Sequence, residues 1–133
     1  MKKSEECPCG STRPFEVCCG SIITDKRKAQ TAEELMRSRY TAFTLGDVDY
    51  LMKSWHPQTR NLSEKREIQN WAKSVRWIKL EIINTEGGQQ EEKTGTVSFI
   101  AYYREKGKLK TIKEKSSFTI VDGYWVYVSG IHG

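Results

Sequence analysis

Cys7, Cys9, Cys18 and Cys19 are the only cysteines among 133 residues, and all four fall within residues 7–19. Thiols grouped in this way can form disulfides, run redox chemistry or hold a metal. The pairs read C-x-C and C-C, not the C-x-x-C of thioredoxin-like sites, which weakens the redox reading. Two close pairs with eight residues between them suit one tetrahedral ion with four sulfur ligands. Gly10, Ser11 and Pro14 let the chain reverse between the pairs. A closed shell of four thiolates leaves no place for water, so the expected metal is one structural zinc per chain, not a catalytic ion. A redox or vicinal-disulfide role and inert thiols stand as alternatives.

Two charged residues break the apolar pattern of their elements. At about 100° per residue, Arg39 falls within the apolar stripe of a helix, between Leu35 and Phe43, whereas Arg37 points the other way, to solvent. Glu114 shares a strand face with Ile112, Phe118 and Ile120. A buried unpaired charge is costly, so the two are expected within hydrogen-bonding distance, as a structural ion pair or as the floor of a pocket. His56, beside Trp55 and before Pro57, suits the rim of a cleft. The pocket candidates are Arg39, Tyr40, His56 and Glu114. No catalytic residue is assigned. The lysines of "REKGKLKTIKEK" read as guards of a hairpin edge, with a nucleic-acid surface as the weaker reading. The four tryptophans read as core, not as stacking platforms.

Three helices and four strands must position these residues. Thr31 and Glu34 form a capping box ahead of Ala32, Leu35, Met36, Tyr40 and Phe43, and Gly46 ends that helix. Asp47 caps a short second helix carrying Val48, Leu51 and Met52. A third begins near Ser63. From residue 76 the period becomes two, with Ile78, Leu80 and Ile82 expected on one side. "TGTVSFIAYY" and "LKTIKEKSSFTIV" follow as strands, then Asp122-Gly123 as a hairpin turn and "YWVYVSG". Helices followed by a meander imply an α+β domain, with helices on one face of an antiparallel sheet. Residues 1–24 read as a metal module too small to fold unaided, 25–30 as a charged joint, and 31–133 as the main domain.

Composition fits a globular protein: 29% charged and 11% aromatic residues with three prolines. Four thiolates with one Zn²⁺ carry −2, so the formal +5 falls to +3, which permits nucleic-acid contact without arguing for it. The N-terminal MKKSEECPCG lacks the apolar stretch of a secretory signal, and no apolar run reaches the ~18 residues of a bilayer span. The expected location is cytoplasmic, where thiols stay reduced, with no membrane association.

With these pieces in place, the chain resembles the YchJ family of small bacterial proteins over nearly its whole length. Cys7, Cys9, Ser11, Phe15, Cys18 and Cys19 match the SEC-C motif, a zinc-binding element also found at the end of the SecA translocation ATPase. Thr12 replaces the motif's usual glycine, and Pro14 is a local variation. "LMRSRYTAF", "YLMKSWHP", "GTVSFIAYY" and "EKSSF" resemble the family's later blocks. The resemblance implies a nuclear transport factor 2-like domain, with a curved sheet and helices enclosing a conical pocket. Two functions are expected to compete. One is a non-catalytic zinc protein whose module docks a protein partner, by analogy with the SEC-C tail. The other is a small-molecule binder or enzyme using a cavity with Arg39 and Glu114. RNA or ribosome binding through the lysine-rich hairpin is the weaker third.

Overall fold

The computed structural model describes residues 4–132. The Thr31 hydroxyl accepts from the Glu34 amide at 3.1 Å, and Glu34 in turn accepts from the Gln30 amide at 2.8 Å. This doubly satisfied start launches helix α2, Ala32–Leu45, after a short α1, Cys19–Ile23, in the cysteine module. Gly46 closes α2 in the left-handed region, φ 68°, where a residue without Cβ carries no penalty. Asp47 caps α3, Val48–Lys53, by accepting from the Tyr50 amide. Helix α4, Lys65–Ser74, completes the helical layer.

Four strands follow in the order of the sequence: β1 Arg76–Gly87, β2 Thr94–Glu105, β3 Lys108–Val121 and β4 Tyr124–His132. They pair antiparallel as β1-β2-β3-β4. The helices cover one face of this sheet, giving the expected α+β architecture. Val97, Phe99, Ala101 and Tyr103 alternate inward along β2. They join Leu35, Leu51, Leu80 and Phe118 in the core. Burying a side chain such as Leu51 contributes about 2 kcal/mol.

Strand β1 departs from its simple alternation. Its register shifts between Trp77 and Lys79 and again between Ile82 and Asn84. The first irregularity turns Ile78 outward, 44% exposed, and Trp77 inward. A bulge places an extra residue in one strand and re-aims the side chains beside it. The expectation that Ile78 shares the inner face is therefore corrected. After α3 the chain runs along β4: the Tyr127 amide donates to Ser54 O at 2.8 Å, and the His56 amide to Tyr127 O at 2.7 Å. This pairing holds residues 54–56 against the sheet.

The cysteine module folds back on itself as a small hairpin, with the Cys7 amide on Arg13 O and the Phe15 amide on Glu5 O. It packs on α2. The segment 25–30 is tied down as well. Ala29 is part of the main core, Arg27 bridges Ser21 and Glu34, and the Trp125 indole donates to Gln30 O. No helix among the described residues is long and apolar enough to cross a membrane.

Candidate metal centre and ligand cavity

The module exists to bring four sulfurs together. Cys7 and Cys9 come from its first arm. Cys18 and Cys19 sit where a short 3-10 turn, Phe15–Val17, passes into α1. Gly20 is needed at that junction, because a Cβ there would lie 2.6 Å from Phe15 O. All four sulfur atoms lie within 4.8 Å of one another, and all four residues are buried. Cys9 Sγ and Cys18 Sγ are 3.7 Å apart. A tetrahedral ion about 2.3 Å from each sulfur sets sulfur–sulfur edges of about 3.8 Å, so the donor set fits such an ion.

The cysteines are not paired as disulfides. As bare thiols they are poorly matched. Hydrogen bonds from Cys19 and Cys9 pull Cys7 well below the usual thiol range, while hydrogen bonding to Cys7 and Cys9, with burial, pushes Cys19 up. Four buried thiolates this close together need a cation among them.

Surrounding groups hold the ligands in place. Ser11 Oγ lies 3.1 Å from Cys18 Sγ, and Thr41 Oγ1 of α2 lies 3.6 Å from Cys7 Sγ. Arg37, one turn before Thr41 on α2, donates from Nη1 to Cys9 O at 2.6 Å and from Nε to Glu33 at 2.9 Å. The expectation that Arg37 points to solvent is corrected: the face of α2 opposite the sheet is covered by the cysteine module. Thr12, at the motif's glycine position, has φ 67°, the left-handed region that β-branched residues avoid.

A second feature lies on the sheet side of α2. A cavity of about 230 Å³ is bounded by Arg39, Tyr40 and Phe43 of α2, by Trp55 and by Trp71 of α4. Trp77, Glu114 and Tyr127 close it on the sheet. The aromatic rings pack edge to face, with Trp71 and Trp77 centred 5.3 Å apart at 89°. Arg39 is only 7% exposed. Its Nη1 donates to Leu51 O at 2.8 Å and to Ser54 Oγ at 2.7 Å. Its guanidinium carbon sits 4.7 Å from the centre of the Tyr127 ring. Burial lowers its pKa to about 10, so it stays charged at neutral pH.

Glu114 accepts from the Ser116 hydroxyl at 2.5 Å and lies 3.4 Å from His132 Nε2. His132 is paired with Glu114 across β3 and β4. The expected Arg39–Glu114 contact is not formed: no ion pair or hydrogen bond joins them among the described residues. Both nevertheless line one cavity, as does Tyr40. His56 does not. Its Nδ1 accepts from the Gln58 amide at 3.0 Å, which makes it a turn residue. Sequence periodicity gave no role to Tyr127 or Ser54 and placed Trp55, Trp71 and Trp77 in the core. Another hollow, about 310 Å³, lies beside Asp25, Lys28, Lys53 and Asp122. Its other charges, of both signs, are exposed, while half-buried Arg27 in its wall pairs with Glu34 and keeps Nη2 without an acceptor among the described residues.

Residues 31–130 match the family described as the YchJ middle NTF2-like domain. The chain belongs to the YchJ family. The family's curated relatives include a UPF0225 protein of Streptomyces coelicolor, 44% identical over 124 residues and spanning 93% of both chains. A UPF0225 protein of Geobacter sulfurreducens is 42% identical over 93% of this chain and 77% of its own. Among solved structures, a SEC-C motif protein from Rhodopseudomonas palustris superposes with a TM-score of 0.85 at 31% identity, covering 95% of this chain and 97% of its own. One from Psychrobacter arcticus gives 0.82 at 29% identity, covering 97% and 84%. This YchJ chain thus pairs a four-cysteine cluster with an NTF2-like domain.

Proposed function

We propose that this protein binds a small molecule in the cavity of its NTF2-like domain, and that one structural zinc staples the N-terminal module onto that domain. The observation that carries the reading is that Arg39 and Glu114 line one cavity without pairing with each other. A filled apolar core at the same place would favour a pure adaptor. Cavities lined by apolar walls with a few convergent polar groups are the usual form of ligand sites. Cys7, Cys9, Cys18 and Cys19 supply the four thiolates of a closed zinc shell, which has no position for substrate.

Docking of a protein partner through the zinc module is the second reading. It is favoured by Val17, 48% exposed on the module. The lysine-rich hairpin offers less to a nucleic acid, since Lys110 and Lys115 pair with Glu105 and Glu86. A cytoplasmic location fits reduced thiols.

Native mass spectrometry of protein purified without chelator tests both parts of the first reading. One zinc per chain is expected, with a melting temperature that rises on addition of a small-molecule fragment. Paired disulfides without metal would remove the zinc. A broad fragment set that never shifts the melt would remove the ligand reading.

A further inference from the structure

We propose that the cavity receives a one-ring aromatic carboxylate, held by the unspent edge of Arg39. The inference rests on the ligand-binding reading above and names the ligand class. A guanidinium offers five N–H donors in a planar fork. Arg39 spends Nη1 on Leu51 O and Ser54 Oγ, which fixes the group rigidly. Its Nε and Nη2 have no acceptor among the described residues. One face of the fork is covered by the Tyr127 ring, and Glu114 does not reach it.

The indole N–H of Trp55, in the same wall, is a fully buried donor without an acceptor. Buried donors are normally satisfied, and an orphan asks for a missing partner. Both unspent groups donate, so the complementary group must accept. A carboxylate accepts through two oxygens and pairs with the fork of a guanidinium in parallel. One buried cation also matches one anionic group. Phosphate fits less well, because its second charge would sit among apolar rings with Glu114 in the wall.

The remaining walls define the body of the ligand. Tyr40, Phe43, Trp71 and Trp77 present rings, which pack best on another flat ring. The volume of about 230 Å³ lies under the ~300–1,000 Å³ of drug-sized pockets, leaving room for one ring. Glu114 supplies an acceptor elsewhere in the wall. A ring hydroxyl or amino group that reaches it would be bound as a donor.

The test titrates the zinc-loaded full chain with benzoate, para-hydroxybenzoate, benzamide, benzylammonium and inorganic phosphate, by calorimetry and tryptophan fluorescence. The benzoates should bind about tenfold or more tighter than benzamide or benzylammonium. Arg39→Lys should lose most of that preference, and Trp55→Phe should weaken binding severalfold with an unchanged melt. Any gain from the para-hydroxyl should vanish in Glu114→Gln. Equal or better binding of benzamide, benzylammonium or phosphate would overturn the carboxylate class and leave the cavity reading standing. Binding of no member at all would overturn the class too, and the fragment melts described above would then judge the cavity itself.

Discussion

The guanidinium of Arg39 lies over the ring of Tyr127, 4.7 Å from its centre. The Tyr127 hydroxyl meanwhile feels the Glu114 carboxylate. Tyr127 therefore stands between two opposite charges that do not touch. A direct buried ion pair would lose about 3 kcal/mol or more when one partner is neutralised. Here Glu114→Gln should cost only about 1 kcal/mol, the scale of a weakened hydrogen bond to Ser116. The coupling energy in a double-mutant cycle with Arg39→Met should stay under about 0.5 kcal/mol. Urea melts of the four proteins measure it, and a coupling of several kcal/mol would mean the pair is direct.

Tyr127 also predicts an alkaline difference. Burial first, then Glu114, raises its pKa to about 12, against the pull of Arg39. A folded pKa above the unfolded one near ~10 gives stability that is whole below that pH. It is lost as pH climbs through the folded value. Tyr127→Phe keeps the ring under Arg39 and removes the titration. Its stability relative to wild type should rise between pH ~10 and ~12. Arg39, whose pKa is lowered chiefly by burial, gives the opposite trend in both proteins. A flat difference curve would mean the hydroxyl is free in water.

Arg37 predicts a metal effect without loss of a ligand. Its hydrogen bond to Cys9 O orients a donor residue from outside the sulfur shell. Removing such support commonly costs about 10–100-fold in metal affinity. Arg37→Ala should still bind one zinc but release it to a chelator about tenfold faster. Release measured with a chromogenic chelator would contradict this if the two proteins matched.

Thr12 predicts a gain. It holds φ 67°, where an L residue carries about 1–2 kcal/mol of strain. Thr12→Gly relieves that and returns about 0.5–1 kcal/mol through unfolded-chain entropy. The net should be a small stabilisation of the module, read as slower amide exchange at Cys9 and Cys18. Faster exchange would show that the Thr12 hydroxyl, bonded to Ser11 O, matters more than its backbone.

What could be read in the sequence was local. Thr31, Glu34, Gly46 and Asp47 announce helix ends through short-range hydrogen bonding and backbone freedom. The alternation of β2 is clean because one face packs on the helices. The bulge at Ile78 was hidden, since a register shift depends on the partner strand. Arg37 was misplaced for a related reason. A helical wheel shows which face is apolar, yet α2 is covered on two sides, by the sheet and by the cysteine module. Arg39 and Glu114 were each placed on the correct face. Their separation depends on how far a helix slides along a sheet, which periodicity does not encode. His56 looked like a rim residue because its turn role lies in a backbone contact to Gln58.

All four sulfur donors lie within thirteen consecutive residues, ahead of every strand they finally pack beside. Closing so short a loop costs little chain entropy. In a polypeptide emerging from its N-terminus, an ion can therefore be captured before the meander exists. The module would then be waiting, already shaped, when α2 arrives with Arg37 and Thr41. Each later strand pairs with the one just made, so the sheet itself needs no distant strand partner, and only its docking on the helices joins distant residues. For the metal proposed above, supply during synthesis is then expected to bear on how many chains fold correctly.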